Sequence, residues 1–185
     1  MRIDLHESLQ DILPDILAQY RLPVFGTHGV SHWARVLENG TRLAAENGAK
    51  TSVIAYFAIF HDACRWNEGI DPGHGLRGAD LVEKMRERIE LQDEEIGQLM
   101  AACRLHTDGL LDGDITIQTC WDSDRLDLPR VGIPISPARL CTEAARHPDT
   151  VDWATERARD RAEPDFLWSH WRMKRYSAGT RSEVE

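Results

Sequence analysis

The chain has 185 residues, 42% of them hydrophobic and 29% charged, with a formal net charge of −9. That length suits one domain with a real core and is short for two, and the acidic balance excludes a general binder of polymeric nucleic acid, which is ordinarily basic. No stretch approaches the roughly 18 apolar residues that cross a bilayer, and the opening MRIDLHESLQ places Asp4 and Glu7 where a secretory signal is basic and then apolar, so the expected location is cytoplasmic, away from membranes.

Periodicity is helical nearly throughout. Residues 3–20 carry Ile3, Leu5, Leu9, Ile12, Leu13, Ile16 and Leu17 at helical spacing, with Pro14 expected to kink or break the helix. RLPVFGTHG reads as a loop. A helix follows over about 29–46 and stops at Asn47-Gly48. Thr51 or Ser52 is expected to cap the next helix, whose body VIAYFAIF is apolar all round and so belongs at the centre of the fold. It runs straight into His61-Asp62. Residues 67–75 (NEGIDPGHG) read as a loop. Then come a helix over about 76–90, one from an Asp93 cap to His106, and one over about 115–127 capped by Asp114. Further helices are expected at about 138–147 and 150–161. The tryptophan-bearing tail after Pro164 either packs back on the core or makes a homodimer contact, and the last eight residues look disordered. No alternating strand is evident. The expected fold is all-α: one compact helical bundle over 1–185, with a metal-binding core at about 28–130 and C-terminal helices and tail at about 137–185. The four cysteines, Cys64, Cys103, Cys120 and Cys141, are widely spaced and give neither a zinc ribbon nor a disulfide framework.

Six residues scattered over several of these helices are of the type that binds a divalent ion in an open, water-bearing site: His32, His61, Asp62, His74, His106 and Asp124. Imidazoles offer fixed nitrogen donors; a carboxylate lowers the charge of the site and can bridge two ions. Consecutive His61 and Asp62 project about 100° apart on a helix, so one ion can lie between them while Asp62 reaches towards a second. His28 and His32 share one helix face, and only one of them need be a ligand. Asp122 and Asp124 point to nearly opposite faces and cannot serve the same ion from a helix; Asp124 is taken as the ligand, with Arg125 beside it as a candidate phosphate contact. Arg65, Arg77 and Arg104 are also close in sequence to these residues, and one or two of the four arginines are expected to face the site.

The pattern HGVSHWARV, IFHDACR and WDSDRLDL resembles the HD superfamily of metal-dependent phosphohydrolases, over about residues 28–130. The resemblance implies four principal ligands, His32, His61, Asp62 and Asp124. His32 holds its place by preceding Ala34-Arg35-Val36. It also implies two further ligands in some branches, matched by His74 in His-Gly-Leu-Arg-Gly-Ala and by His106 after Arg104-Leu105. One divalent ion (Mn, Fe, Zn, Co, Ni or Mg) is expected, with room for two. Branches that act on 5′-nucleotides and guanosine tetraphosphate carry a Glu three residues after the doublet; here Arg65 stands there, and Glu68 is one turn later. The expected function is hydrolysis of a small phosphorylated molecule, a nucleotide or related ester, with Asp62 and Arg125 catalytic and Arg65 and Arg77 binding substrate. The alternatives are a di-iron oxygenase of the same superfamily and a non-catalytic domain that binds metal or nucleotide.

Overall fold

The computed structural model describes residues 7–174. Among these the chain forms nine α-helices and three short 3-10 turns, with no strand. The first five long helices are α1 (Glu7–Gln19), α2 (Val30–Asn47), α3 (Thr51–Phe60), α4 (His74–Lys84) and α5 (Asp93–Leu105). α6 (Ile115–Arg125), α7 (Glu143–Arg146), α8 (Pro148–Arg159) and α9 (Phe166–Ser169) complete the set. None of the described helices is long and apolar enough to cross a membrane.

α3 is the hub. Every residue from Val53 to Phe60 is buried, as an all-round apolar helix requires, and α1, α2, α4, α5 and α6 all pack on it. Both bands that can carry ligands, the end of α3 and the facing turns of its neighbours, therefore meet in the interior. A Cβ on Gly75 would lie 2.4 Å from the Cys103 carbonyl and 3.0 Å from His106 Nδ1, and one on Gly78 would lie 2.7 Å from the Phe60 carbonyl. Glycine at these two positions lets α4 sit directly on α5 and on the end of α3.

Several boundaries differ from those expected, each for a local reason. Pro14 lies within an unbroken α1; it is exposed while Leu9, Ile12, Leu13 and Ile16 are buried, so the missing hydrogen bond falls on the solvent side. Neither Thr51 nor Asp93 caps its helix: each is a first helical residue, preceded by Lys50 and Gln92. Asp114 does cap α6, its side chain accepting from Thr116 N–H at 2.8 Å. α2 ends at Gly48, in the left-handed region at φ 75°. The helix expected at 138–147 is interrupted. Asp122 accepts the N–H groups of Cys141 and Thr142 at 2.7 and 2.8 Å, which fixes that segment outside a helix until Thr142 caps α7.

The tail folds back on the core. Trp168 stacks on Phe25 and Trp171 meets Phe166 edge-on, and Phe166, Leu167 and Trp171 belong to the main apolar cluster. A second, smaller cluster of Leu43, Leu126, Leu140, Ala145 and Ala154 fastens α7 and α8 to α2 and α6. An Arg157–Glu38 ion pair and a bond from Arg35 to the Ala162 carbonyl reinforce that seam. The expected disorder of the final eight residues lies outside the described residues.

Candidate metal centre

The six dispersed ligand candidates converge. His32 comes from α2, His61 and Asp62 from the end of α3, His74 from the first turn of α4, His106 from the residue after α5, and Asp124 from the last turn of α6. His32 Nε2 lies 3.1 Å from His61 Nε2, 3.6 Å from Asp62 Oδ2 and 3.4 Å from Asp124 Oδ1. His61 Nε2 lies 3.6 Å from Asp62 Oδ2 and 3.9 Å from Asp124 Oδ1. Such separations suit donors about 2.0–2.2 Å from a shared ion. On the other side, His74 Nε2 is 2.9 Å from His106 Nε2, and the two are 3.2 and 3.8 Å from Asp62 Oδ1. Asp62 thus presents one oxygen to each cluster. His74, expected in a loop, is instead fixed as the first residue of α4, behind Gly73 at φ 80°.

The donor chemistry fits a cation. Each imidazole gives its Nδ1–H to an oxygen: His32 to Asp127 at 2.7 Å, His61 to the Phe57 carbonyl at 3.1 Å, His74 to the Asp71 carbonyl at 2.7 Å, and His106 to the Cys103 carbonyl at 2.7 Å. Those acceptors fix the tautomer, so four Nε2 lone pairs are aimed inward. Two bare nitrogens about 3 Å apart repel unless a positive charge lies between them. The clusters His32–His61–Asp62 and Asp62–His74–His106 are each entirely buried and each can hold a metal ion.

The electrostatics agree. Burial, aided by Arg130, lowers the pKa of His32 to about 4, against the pull of Asp127; burial and His61 lower His106 to about 4. For Asp124 burial would raise the pKa, yet the imidazoles of His61, His32 and His106 prevail and hold it at about 2. Asp62 is held well below the usual carboxylate range despite its burial, chiefly by His61 and His74. His32 and His106 are thus held neutral and the two carboxylates ionised, as a divalent ion requires, while at His74 the bond to Asp62 prevails over burial and raises the pKa above its ordinary value. An unfolded imidazole titrates near 6.5, so between pH 6.5 and 4 the unfolded chain binds protons that buried His32 and His106 refuse. The chelator-treated protein is therefore expected to lose the stability that His32 and His106 contribute as pH falls through that window, offset in part by His74, which Asp62 raises above its ordinary value. Urea midpoints taken from pH 7.5 to 4 check this; a flat series would contradict the neutral buried imidazoles.

Asp122 and Asp124 separate as their spacing requires. Asp122 turns to the 141–142 segment ahead of α7, where it accepts from Cys141 N–H and the Thr142 hydroxyl, and of the two only Asp124 reaches the histidines. The arginines separate as well. Arg65 Nη1 lies 3.4 Å from Asp62 Oδ1 and 3.1 Å from His74 Nε2, so it faces the centre. Two placements correct the expectation. Arg77 grips both Asp71 oxygens at 2.7 Å, donates to the Cys64 carbonyl and covers the Trp66 ring at 3.9 Å, so it pins the 64–73 loop. Arg125 donates to the carbonyls of Leu110 and Arg139 and lies over Trp121, turned from the cluster because α6 points Asp124 inward. Arg104 is exposed.

One functional residue escaped the sequence reading. Asp127 is 1% exposed and holds three partners: His32, a two-pronged grip from Arg35 at 2.7 and 3.1 Å, and Arg130 at 3.6 Å. The signal was present in the spacing. His32 and Arg35 are three residues apart on α2, Asp124 and Asp127 three apart at the end of α6, so each pair shares a face and the two faces clasp. His28, expected to share the helix face of His32, pairs with Glu68 at 2.5 Å beside the cluster, its ring 6.3 Å from that of His32.

No family model matches the sequence, and no curated protein matches it. A crystal structure of a predicted HD superfamily hydrolase from an uncultured Thermotogales bacterium superposes with a TM-score of 0.60 over 80% of this chain and 83% of that one, at 23% identity. The chain shares the fold of that predicted HD superfamily hydrolase. Within it His61-Asp62 lies at the buried end of α3, with the remaining donors arranged around it.

Proposed function

We propose that the protein is a metal-dependent phosphohydrolase acting on a small phosphorylated molecule, a nucleotide or a related phosphate ester. One observation carries the reading: two carboxylates and four tautomer-fixed imidazoles converge from five helices, with Asp62 facing both halves of the set. A divalent ion, when bound, supplies Lewis acidity and makes a neighbouring water acidic enough to ionise near neutral pH. The chain does the rest. Asp127 and three backbone carbonyls hold the imidazoles in the binding tautomer; Asp62 and Asp124 stay ionised and lower the charge of the site. Asp124 is the most exposed of the set, at 17% of its side chain, and marks the side from which substrate approaches. Arg65 is the cation placed to meet phosphoryl oxygens. The similar solved structure's description as a predicted hydrolase supports the hydrolytic class.

The test is phosphate release from nucleoside mono-, di- and triphosphates and simple phosphomonoesters. The protein is first stripped with chelator, then supplied with Mn²⁺, Fe²⁺, Zn²⁺, Co²⁺, Ni²⁺ or Mg²⁺. Release on at least one substrate, lost on chelation and restored by the ion, is expected. Absence of release with every pair, in protein that holds an ion, overturns the proposal. The second donor set favours one other reading, oxidation at a di-iron centre; iron in the purified protein with substrate-dependent oxygen uptake would select it.

A further inference from the structure

The two halves of the centre are not equivalent, and Arg65 is the difference. Its guanidinium is buried, with the residue 6% exposed, and it is anchored rather than free to swing: Nη2 donates to the Gly69 carbonyl at 2.5 Å and Nε to the Asn67 carbonyl at 3.3 Å. Nη1 is thereby held 3.4 Å from Asp62 Oδ1, the oxygen that faces His74 and His106. It lies 3.1 Å from Nε2 and 3.4 Å from Nδ1 of His74, over the ring rather than on either nitrogen's lone pair. An ion bound to His74 Nε2 at about 2.1 Å would lie within about 5 Å of this fixed positive charge.

In the other half the nearby cations are set back behind a carboxylate of their own. His32 and His61 have Asp62 Oδ2 and Asp124 in contact, and Arg35 and Arg130 stand behind the Asp127 carboxylate. Two carboxylates serve the first cluster. The second has only a share of Asp62, and that share is already offset by a guanidinium.

We infer that Arg65 takes the place of a second metal ion, serving Asp62 Oδ1 beside His74 and His106 and leaving His32, His61, Asp62 and Asp124 as the one tight divalent site. A metal-binding first cluster is the only part of the proposed function on which this rests. The guanidinium is permanently charged and forked, so it can meet an anionic oxygen beside the second cluster with no ion there.

Metal counting on the full chain tests it, independently of turnover. Stripped protein is titrated with Mn²⁺ and with Zn²⁺ by calorimetry, and metal per chain is measured by elemental analysis after dialysis. Wild type is expected to hold one ion, with any second bound at least about a hundredfold more weakly. Arg65→Gln, which removes the charge, is expected to strengthen the second site about tenfold or more and approach two ions per chain. Arg65→Lys, which keeps the charge, is expected to stay at one. His74→Ala should leave the wild-type count unchanged and abolish the gain in Arg65→Gln. Two ions of matched affinity in wild type overturn the inference, as does a folded Arg65→Gln that still holds one. No ion in wild type overturns the metal centre altogether. One tight ion without phosphate release overturns only the proposed function.

Discussion

Asp62→Ala is expected to abolish metal-dependent phosphate release, a fall of about a thousandfold or more. Asp62 belongs to both buried clusters, its Oδ2 3.6 Å from His32 and His61 Nε2 and its Oδ1 3.2 Å from His74 Nε2. Without it the first cluster keeps only one carboxylate, Asp124, and the remaining imidazoles carry too little negative charge around them to hold a dication against water. Retained metal would also be expected to fall, read as metal per chain after dialysis. A helical far-ultraviolet circular dichroism spectrum of the variant would show that the loss is not one of folding. Turnover within a few-fold of wild type would end the mechanism.

The second large effect is expected at a residue that never meets the ion. Asp127→Ala leaves Arg35 and Arg130 buried without their carboxylate and frees His32 Nδ1. Breaking a buried pair of this kind costs about 3–5 kcal/mol, which for a chain of this size lowers the unfolding midpoint by roughly 10 °C. Metal affinity should fall with it, by about 10–100-fold, because the imidazole loses the partner that fixes its tautomer. Asp127→Asn keeps an acceptor for one donor and should fall between. Thermal midpoints and metal titrations on the same preparations check both effects. A midpoint within a degree or two of wild type, with unchanged affinity, would show that the clasp between α2 and α6 contributes nothing to the site.

His28 and Glu68 illustrate how far residue type alone reaches. The sequence marked both as near the chemistry, His28 as a neighbour of the ligand face and Glu68 as a carboxylate one turn after Arg65. Their pairing across 40 positions depends on how the 64–73 loop folds under Arg77 and Trp66.

The sequence by itself determined the helical class, the central place of VIAYFAIF, the glycine end of α2 and the Asp114 cap. It also determined which six side chains are chemically fit to hold an ion. These are local properties: apolar periodicity, left-handed backbone at Gly48, and donor type are written into a few consecutive residues. Tertiary structure decided what depends on partners far along the chain. It turned Arg125 onto the carbonyls of Leu110 and Arg139 and Arg77 onto Asp71, although both stand as near to ligands in sequence as Arg65 does. It broke the helix expected at 138–147, because Asp122 on α6 claims the N–H groups of Cys141 and Thr142. It also recruited Asp127 to orient His32 from 95 residues away. Long side chains and buried charges take their direction from whichever opposite charge or carbonyl packing brings within 3 Å, and no spacing rule along one helix encodes that choice.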